Sequence, residues 1–263
     1  MYFSISDLQN FYDSDIGNIV QGILQSHIDE FWEDLHGLRI LGCGYALPYL
    51  TPWCDTAERV IAMTALKPRQ CLPDNVIGHW CADSKNMGFI SDEFSMPIEN
   101  SSIDRILLVH YLENSDHIHE TLQEIWRVLK ANGRLLVIVP NRMGVWARAD
   151  WSPFGHGHPF TASQLGAYLR DNMFVQERHK AALFVPPIPD SPIMMKSANL
   201  IERMAGNIFP FVAGVHMMEM SKQIYASIDK TGTGSAVLAK TKELLQGSGG
   251  VIPQNFSPKN EKC

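Results

Sequence analysis

The residues best suited to chemistry lie in one loop and one turn. The loop "RADWSPFGHGHPFT" (148–161) sets His156 and His158 among Trp151, Phe154 and Phe160. An imidazole titrates near neutral pH, so a histidine in an aromatic pocket can take a proton from a bound nucleophile. The same residues also suit a tight turn whose histidines cap the next helix. The turn "RILGCGYALPYL" (39–50) presents Gly42, Gly44, Tyr45 and Ala46 after a buried run. Backbone without side chains lets amides approach a ligand closely, and a turn of this kind usually wraps a nucleotide-like cofactor. Its other use is tight packing of a strand on a helix. Ala46 stands where a third glycine is usual, and no acidic residue precedes Gly42.

These residues need a frame that brings them to one edge. Ile16, Val20, Ile23, Leu24, Phe31 and Leu35 recur at helical spacing and predict an amphipathic helix over 14–36. Leu38 to Leu41 and Val60 to Met63 read as short buried strands, separated by a helix that Pro48 can start. "IDRILLV" (103–109) is a further buried run, followed by a helix from about Ser115 to Lys130 with Leu122, Ile125, Trp126 and Leu129 on one face. "ANGR" predicts Gly133 as the cap of that helix, and "LLVIV" (135–139) is another strand. Thr161 and Gln164 predict a capping box that opens a helix to about Met173. "FVQERHKAALFV" (174–185) and "GVHMMEMSKQI" (214–224) read as two strands that can pair antiparallel, with a proline-rich turn and a helix near 192–206 between them. Strands alternating with helices predict a parallel sheet covered on both faces.

Composition narrows the class. With 263 residues and 45% hydrophobic content the chain can bury a sizeable core. A net charge of -6 without a run of Lys or Arg gives no footprint for a nucleic-acid backbone, so nucleic acid is not expected as the main partner, although a tRNA-like substrate with few contacts stays open. Cys43, Cys54, Cys71, Cys81 and Cys263 are odd in number and never spaced C-x-x-C, which indicates neither a disulfide framework nor a zinc site. The acidic N-terminus lacks the apolar core of a secretory signal, and "IFPFVAGVHMM" (208–218) is too short to span a bilayer. A soluble, cytoplasmic protein without a metal or a membrane partner is expected.

The order of elements and several segments resemble the class I S-adenosylmethionine-dependent methyltransferases, in particular the type 11 group. "LGCGYA" is similar to the first motif of that family. "MPIENSSIDRILLVHYLEN" (96–114) and "LQEIWRVLKANGRLLVIVPN" (122–141) are similar to two longer and more specific segments. The resemblance covers roughly residues 30–222. It implies an α/β, Rossmann-like fold: a mostly parallel seven-stranded sheet with an antiparallel C-terminal strand and helices on both faces. It divides the chain into an N-terminal helical segment (1–36), a methyltransferase domain (37–224, with a helical insertion about 186–210), and a C-terminal helix with a disordered tail (225–263).

The resemblance further implies S-adenosyl-L-methionine as cofactor and a small-molecule or protein methyl acceptor as partner. Gly42, Gly44, Tyr45 and Ala46 would then seat its methionine end. Asp92 matches the position whose carboxylate accepts from the adenine amino group, with Glu93 and Phe94 beside it. The carboxylate that binds the ribose falls on Thr64, and the acid that ends the first strand falls on Ile40. A carboxylate holds a ribose diol by two charge-assisted bonds where a threonine offers one weaker contact, so affinity is expected to fall about tenfold to a hundredfold. His110 faces the cleft by sheet logic, as a contact or as a hydrogen-bonded core histidine. His156 and His158 are the candidates for a base, which is needed only when the acceptor has a proton to lose.

Two rivals stand beside this reading. A catalytically inactive, methyltransferase-like binding or scaffold protein is suggested by the residues at Ile40 and Thr64. A nicotinamide-dependent oxidoreductase is disfavoured, because "GCGYAL" lacks the sixth-position glycine and the second strand ends without the ribose acid.

Overall fold

The computed structural model describes residues 5–65, 86–188, 197, 198, 200, 202, 204 and 212–223. Five helices and seven strands are used below: α1 (Ile5–Tyr12), α2 (Asp15–Phe31), β1 (Arg39–Gly44), α3 (Leu47–Leu50), β2 (Arg59–Ala65), β3 (Met87–Ser91), β4 (Ile103–Val109), α4 (Ile118–Val128), β5 (Leu129–Pro140), α5 (Ala162–Asp171), β6 (Phe174–Ala182) and β7 (Val215–Lys222). The strands form one sheet in the order β3-β2-β1-β4-β5-β7-β6. β1 to β5 pair in parallel, and β7 runs antiparallel to both β5 and β6. The fold is the α/β arrangement expected from the sequence.

Period-two alternation sorts the strand residues onto two cores. Ile40, Val60, Leu107, Leu136, Ile138, Val215 and Met217 meet α1, α2 and α3 on one face. Leu41, Met63, Ile106, Leu108, Val137, Met218 and Met220 meet α4 and α5 on the other. α2 starts at Ser14, whose hydroxyl accepts the Gly17 N–H at 3.2 Å, and buries Val20, Ile23, Leu24, Ile28 and Phe31 along one stripe. α5 opens on the expected capping box of Thr161 and Gln164.

Several boundaries differ from the sequence reading. α1 and the edge strand β3 were not anticipated: β3 is short, contains Gly88 and is partly exposed along its length, so it carries no clear apolar run. α3 has only four residues and passes into a 3-10 turn over Thr51–Trp53 that contains Pro52. Gly133 does not cap α4. That helix ends at Val128, Leu129 pairs with Ile103 to start β5, and a register irregularity follows. Burying Leu129 against β4 takes the chain into the sheet before any left-handed turn can form. Cys54 is disulfide-bonded, whereas the odd number and scattered spacing of the cysteines indicated no disulfide framework. Of the helix expected near 192–206, Ser197, Ala198, Leu200, Glu202 and Met204 are helical. The expected C-terminal helix and tail (225–263) lie outside the described residues. Among the described residues no helix is long and apolar enough to cross a membrane, and no group of His, Cys, Asp and Glu is placed to hold a metal ion.

The β6–β7 pair carries a pH-sensitive contact. His216 on β7 is buried and shares a 3.2 Å hydrogen bond with His179 on β6. Burial, and then the neighbouring His179, holds the His216 imidazole down at about 4. The unfolded chain takes up this proton near pH 6.5 and the folded chain does not, so stability is lost as pH falls from about 6.5 to about 4, by up to about 3 kcal/mol. In urea unfolding at pH 7 and pH 4.5, His216→Gln should lose less stability on acidification than the parent chain; an equal loss would remove His216 from the acid response.

Candidate functional site

The sheet order places a switch between β1 and β4: connections leave β1 toward β2 on one side, while β4 lies on the other. In open sheets of this kind the crevice beyond the carboxyl ends at such a point is where ligands bind. The registers put Gly44 opposite Val109, and Cys43, Met63 and Phe89 in one row. Thr64 follows at the end of β2 opposite Ile90, and Asp92 lies just beyond β3. Gly44, Tyr45, Thr64, Asp92 and His110 therefore gather along one edge.

The two glycines are required by the chain's own packing. A Cβ on Gly42 would lie 2.5 Å from Leu50 Cδ1 and 2.7 Å from Ala46 Cβ. Gly44 has φ +78°, and a Cβ there would lie 2.3 Å from the Val109 carbonyl oxygen. Tyr45 N–H donates to that same carbonyl at 2.8 Å. Ala46 is buried under Gly42. The turn is thereby clamped to the end of β4.

Next to this clamp lies a buried polar chain. His110, one residue past the Gly44 register, has φ +50°, a left-handed conformation that is costly for a non-glycine residue. Asn114 Nδ2 donates to its carbonyl oxygen at 3.1 Å. Its Nε2 shares a hydrogen bond with the Tyr12 hydroxyl at 2.9 Å, its Nδ1 pairs with Glu113 Oε1 at 3.0 Å, and the Tyr49 hydroxyl donates to Tyr12 at 3.2 Å. Tyr12, Tyr49, His110 and Glu113 are all buried. Tyr45 stacks on Tyr12 with centroids 4.9 Å apart, and Phe154 packs on His110 at 4.8 Å. Burial raises the Tyr12 phenol well above its ordinary range, with Tyr49 adding to the effect, and pushes Tyr45 up to about 12. Glu113 Oε2 is buried without a hydrogen-bond partner among the described residues.

The remaining predicted residues are spread more widely. Asp92 and Phe94 are exposed, and Phe94 sits edge-on to His117. Glu93 turns inward, where Oε2 accepts from Ser115 at 2.5 Å beside Thr121 at the start of α4. The aromatic loop does not form one pocket: Phe154 lies on the α1 side against Phe11 and His110, Phe160 lies in the opposite core beside Tyr168, and Trp151 is exposed. His156 Nε2 bonds the Asp150 carbonyl at 2.6 Å, whereas His158 donates its backbone N–H to the Glu113 carbonyl at 2.7 Å and leaves its ring exposed. Sequence reasoning missed Glu113, although its spacing of three residues from His110 was a readable signal. Nothing local in the sequence ties Tyr12 to His110, 98 positions away.

With the geometry in place, comparison with known proteins is decisive for the fold. Residues 41–137 match a family model described as a methyltransferase domain. The described residues have the class I methyltransferase fold. It is similar to a Thermotoga maritima S-adenosylmethionine-dependent methyltransferase described as a possible histamine N-methyltransferase (TM-score 0.56, 13% identity, covering 83% of this chain and 95% of that one). It is also similar to a Haloferax volcanii methyltransferase solved with its Trm112 activator (0.56, 14%, 76% and 89%). A third likeness is to a Streptomyces coelicolor geranyl diphosphate C-methyltransferase in complex with Mg2+, geranyl diphosphate and S-adenosyl-L-homocysteine (0.51, 13%, 75% and 78%). At these identities the likeness is one of fold. No curated protein matches in sequence.

The clamp at Gly44 sets a clear energetic expectation for this fold. Gly44→Ala should destabilise the fold by about 2 kcal/mol or more, through the left-handed φ and the clash with Val109. Gly22, in α2 with open space at its Cβ, is the control: Gly22→Ala should be neutral or add about 0.5–1 kcal/mol. Urea unfolding of the two variants reads the contrast, and equal effects would contradict the packing role assigned to Gly44.

Proposed function

We propose that the chain is an S-adenosyl-L-methionine-dependent methyltransferase acting on a small-molecule or protein acceptor. The observation that carries this reading is the buried carboxylate oxygen of Glu113 beside the tyrosine faces at the β1/β4 switch. Among the described residues no lysine or arginine is bonded to Tyr12, Tyr45, His110 or Glu113. A cationic sulfonium suits such surroundings through charge and cation–π attraction, whereas a dinucleotide pyrophosphate would meet a carboxylate and no cation. At the outer end the Thr64 hydroxyl and the Asp92 carboxylate offer acceptors for ribose and for an amino group. The likeness to a fold relative holding S-adenosyl-L-homocysteine points the same way.

Bound there, the cofactor supplies an electrophilic methyl group whose leaving group is neutral. What the protein adds is position, exclusion of water and a place for a proton. Glu113 accepts from His110 Nδ1–H and so leaves Nε2 free to accept; Tyr12 donates to Nε2. Because burial keeps the Tyr12 phenol protonated, it suits relaying a proton better than holding a negative charge. An acceptor hydroxyl or amine beside Tyr12 could pass its proton to that oxygen as the phenolic proton moves to His110. In this reading His110 is the base and Tyr12 the relay, while His156 and His158 are left to loop structure and to the acceptor side.

Titration calorimetry with S-adenosylmethionine, S-adenosylhomocysteine and NADH tests the reading. Heat is expected with the two sulfur ligands alone. No heat with either at millimolar concentration would leave the scaffold alternative, which the packed glycines and Thr64 favour. Thr64→Asp should tighten S-adenosylhomocysteine about tenfold by restoring a ribose carboxylate, and unchanged affinity would place the ribose elsewhere.

A further inference from the structure

A cavity of about 520 Å³ opens on the α4/α5 side of the same edge. Its lining includes Ile118, Arg142, His158, Phe160, Gln164 and Tyr168. Its floor is rigid: Arg142 N–H donates to the Phe160 carbonyl at 2.9 Å, Phe160 N–H donates to the Pro140 carbonyl at 3.0 Å, and the Phe160 and Tyr168 rings meet edge to face at 6.0 Å. The inner wall is continuous with the buried polar chain, since a Cβ on Gly157 would lie 2.4 Å from the Glu113 carbonyl that His158 also engages.

The polar content of this cavity is specific. Arg142 is exposed, and its guanidinium has no hydrogen-bond or ion-pair partner among the described residues. Among the described residues Arg39 pairs with Glu58, Arg127 with Glu124, Arg134 with Glu177 and Arg178 with Glu219, whereas Arg142 lines a cavity. A planar fork of donors at the mouth of a cavity with aromatic and aliphatic walls matches a carboxylate carried on an apolar body. Asp116 also lines the cavity. The cavity's size suits a small organic molecule.

We infer that this cavity binds the methyl acceptor, and that the acceptor is a small carboxylic acid with an aromatic or aliphatic body, its carboxylate on Arg142 and its body against Phe160 and Tyr168. This rests on the methyltransferase reading for the word acceptor, but the binding itself can be measured without turnover. Benzoate is the probe, with benzamide as its neutral counterpart, each titrated into the whole chain and followed by protein NMR shifts. Benzoate should bind in the millimolar range or tighter and at least tenfold better than benzamide. Arg142→Gln, an exposed substitution that leaves the core intact, should abolish that preference. Tyr168→Ala should weaken both probes alike. Equal binding of the two probes, or benzoate affinity unchanged in Arg142→Gln, would overturn the carboxylate assignment, and no binding of either would overturn the cavity as a site. S-adenosylhomocysteine titrated into the same samples separates the two proposals: its binding without benzoate sinks only this inference, and benzoate binding without it sinks only the cofactor reading.

Discussion

The edge of this sheet is organised by a contact that leaves no room for a side chain. Gly44 lies against the Val109 carbonyl while Tyr45 N–H bonds the same oxygen, so the turn after β1 and the end of β4 are held as one unit. That contact sets where Tyr45 stacks and where His110 begins its left-handed turn. Everything proposed for the edge, from the aromatic face to the proton-accepting imidazole, takes its position from it.

A chain of four buried polar side chains is costly unless each is paired, because a low-dielectric interior magnifies both satisfied and unsatisfied groups. Tyr49, Tyr12, His110 and Glu113 meet most of that demand among themselves, and among the described residues only Glu113 Oε2 of this chain is left over. The arrangement also explains why α1 belongs to the core: Tyr12 cannot keep its bond to His110 unless Leu8 and Phe11 stay packed with the sheet. Phe11 in turn contacts Phe154, which ties the loop after β5 to the same cluster. The N-terminal helix and the loop are thus parts of one packed unit around the imidazole.

The segments that carry the family resemblance are mostly those that hold the backbone. Glu124 accepts Met96 N–H, and Arg127 reaches the Met96 and Ile98 carbonyls, so two sequence-distant stretches are locked together by their most recognisable residues. Asp104 does similar work, accepting Arg39 N–H and pairing with Lys130. Strand and helix positions followed from apolar periodicity because burial repeats along each element. The short helix after β1, the edge strand β3 and the early start of β5 did not, since prolines, exposure and a single buried leucine decided them. The two loop histidines looked alike in sequence and separated in the fold, one bonded to a backbone carbonyl and the other facing a cavity.

By itself, the sequence determined the class of fold and the order of most of its elements, because periodicity and capping are local and each element carries its own pattern. Only the tertiary structure decided which side chains meet there. Tyr12 and His110 are 98 positions apart, and Arg142 and Tyr168 share a cavity only because β5 and α5 fold back on one another. Contacts of that kind arise from packing between elements, and no local pattern records them.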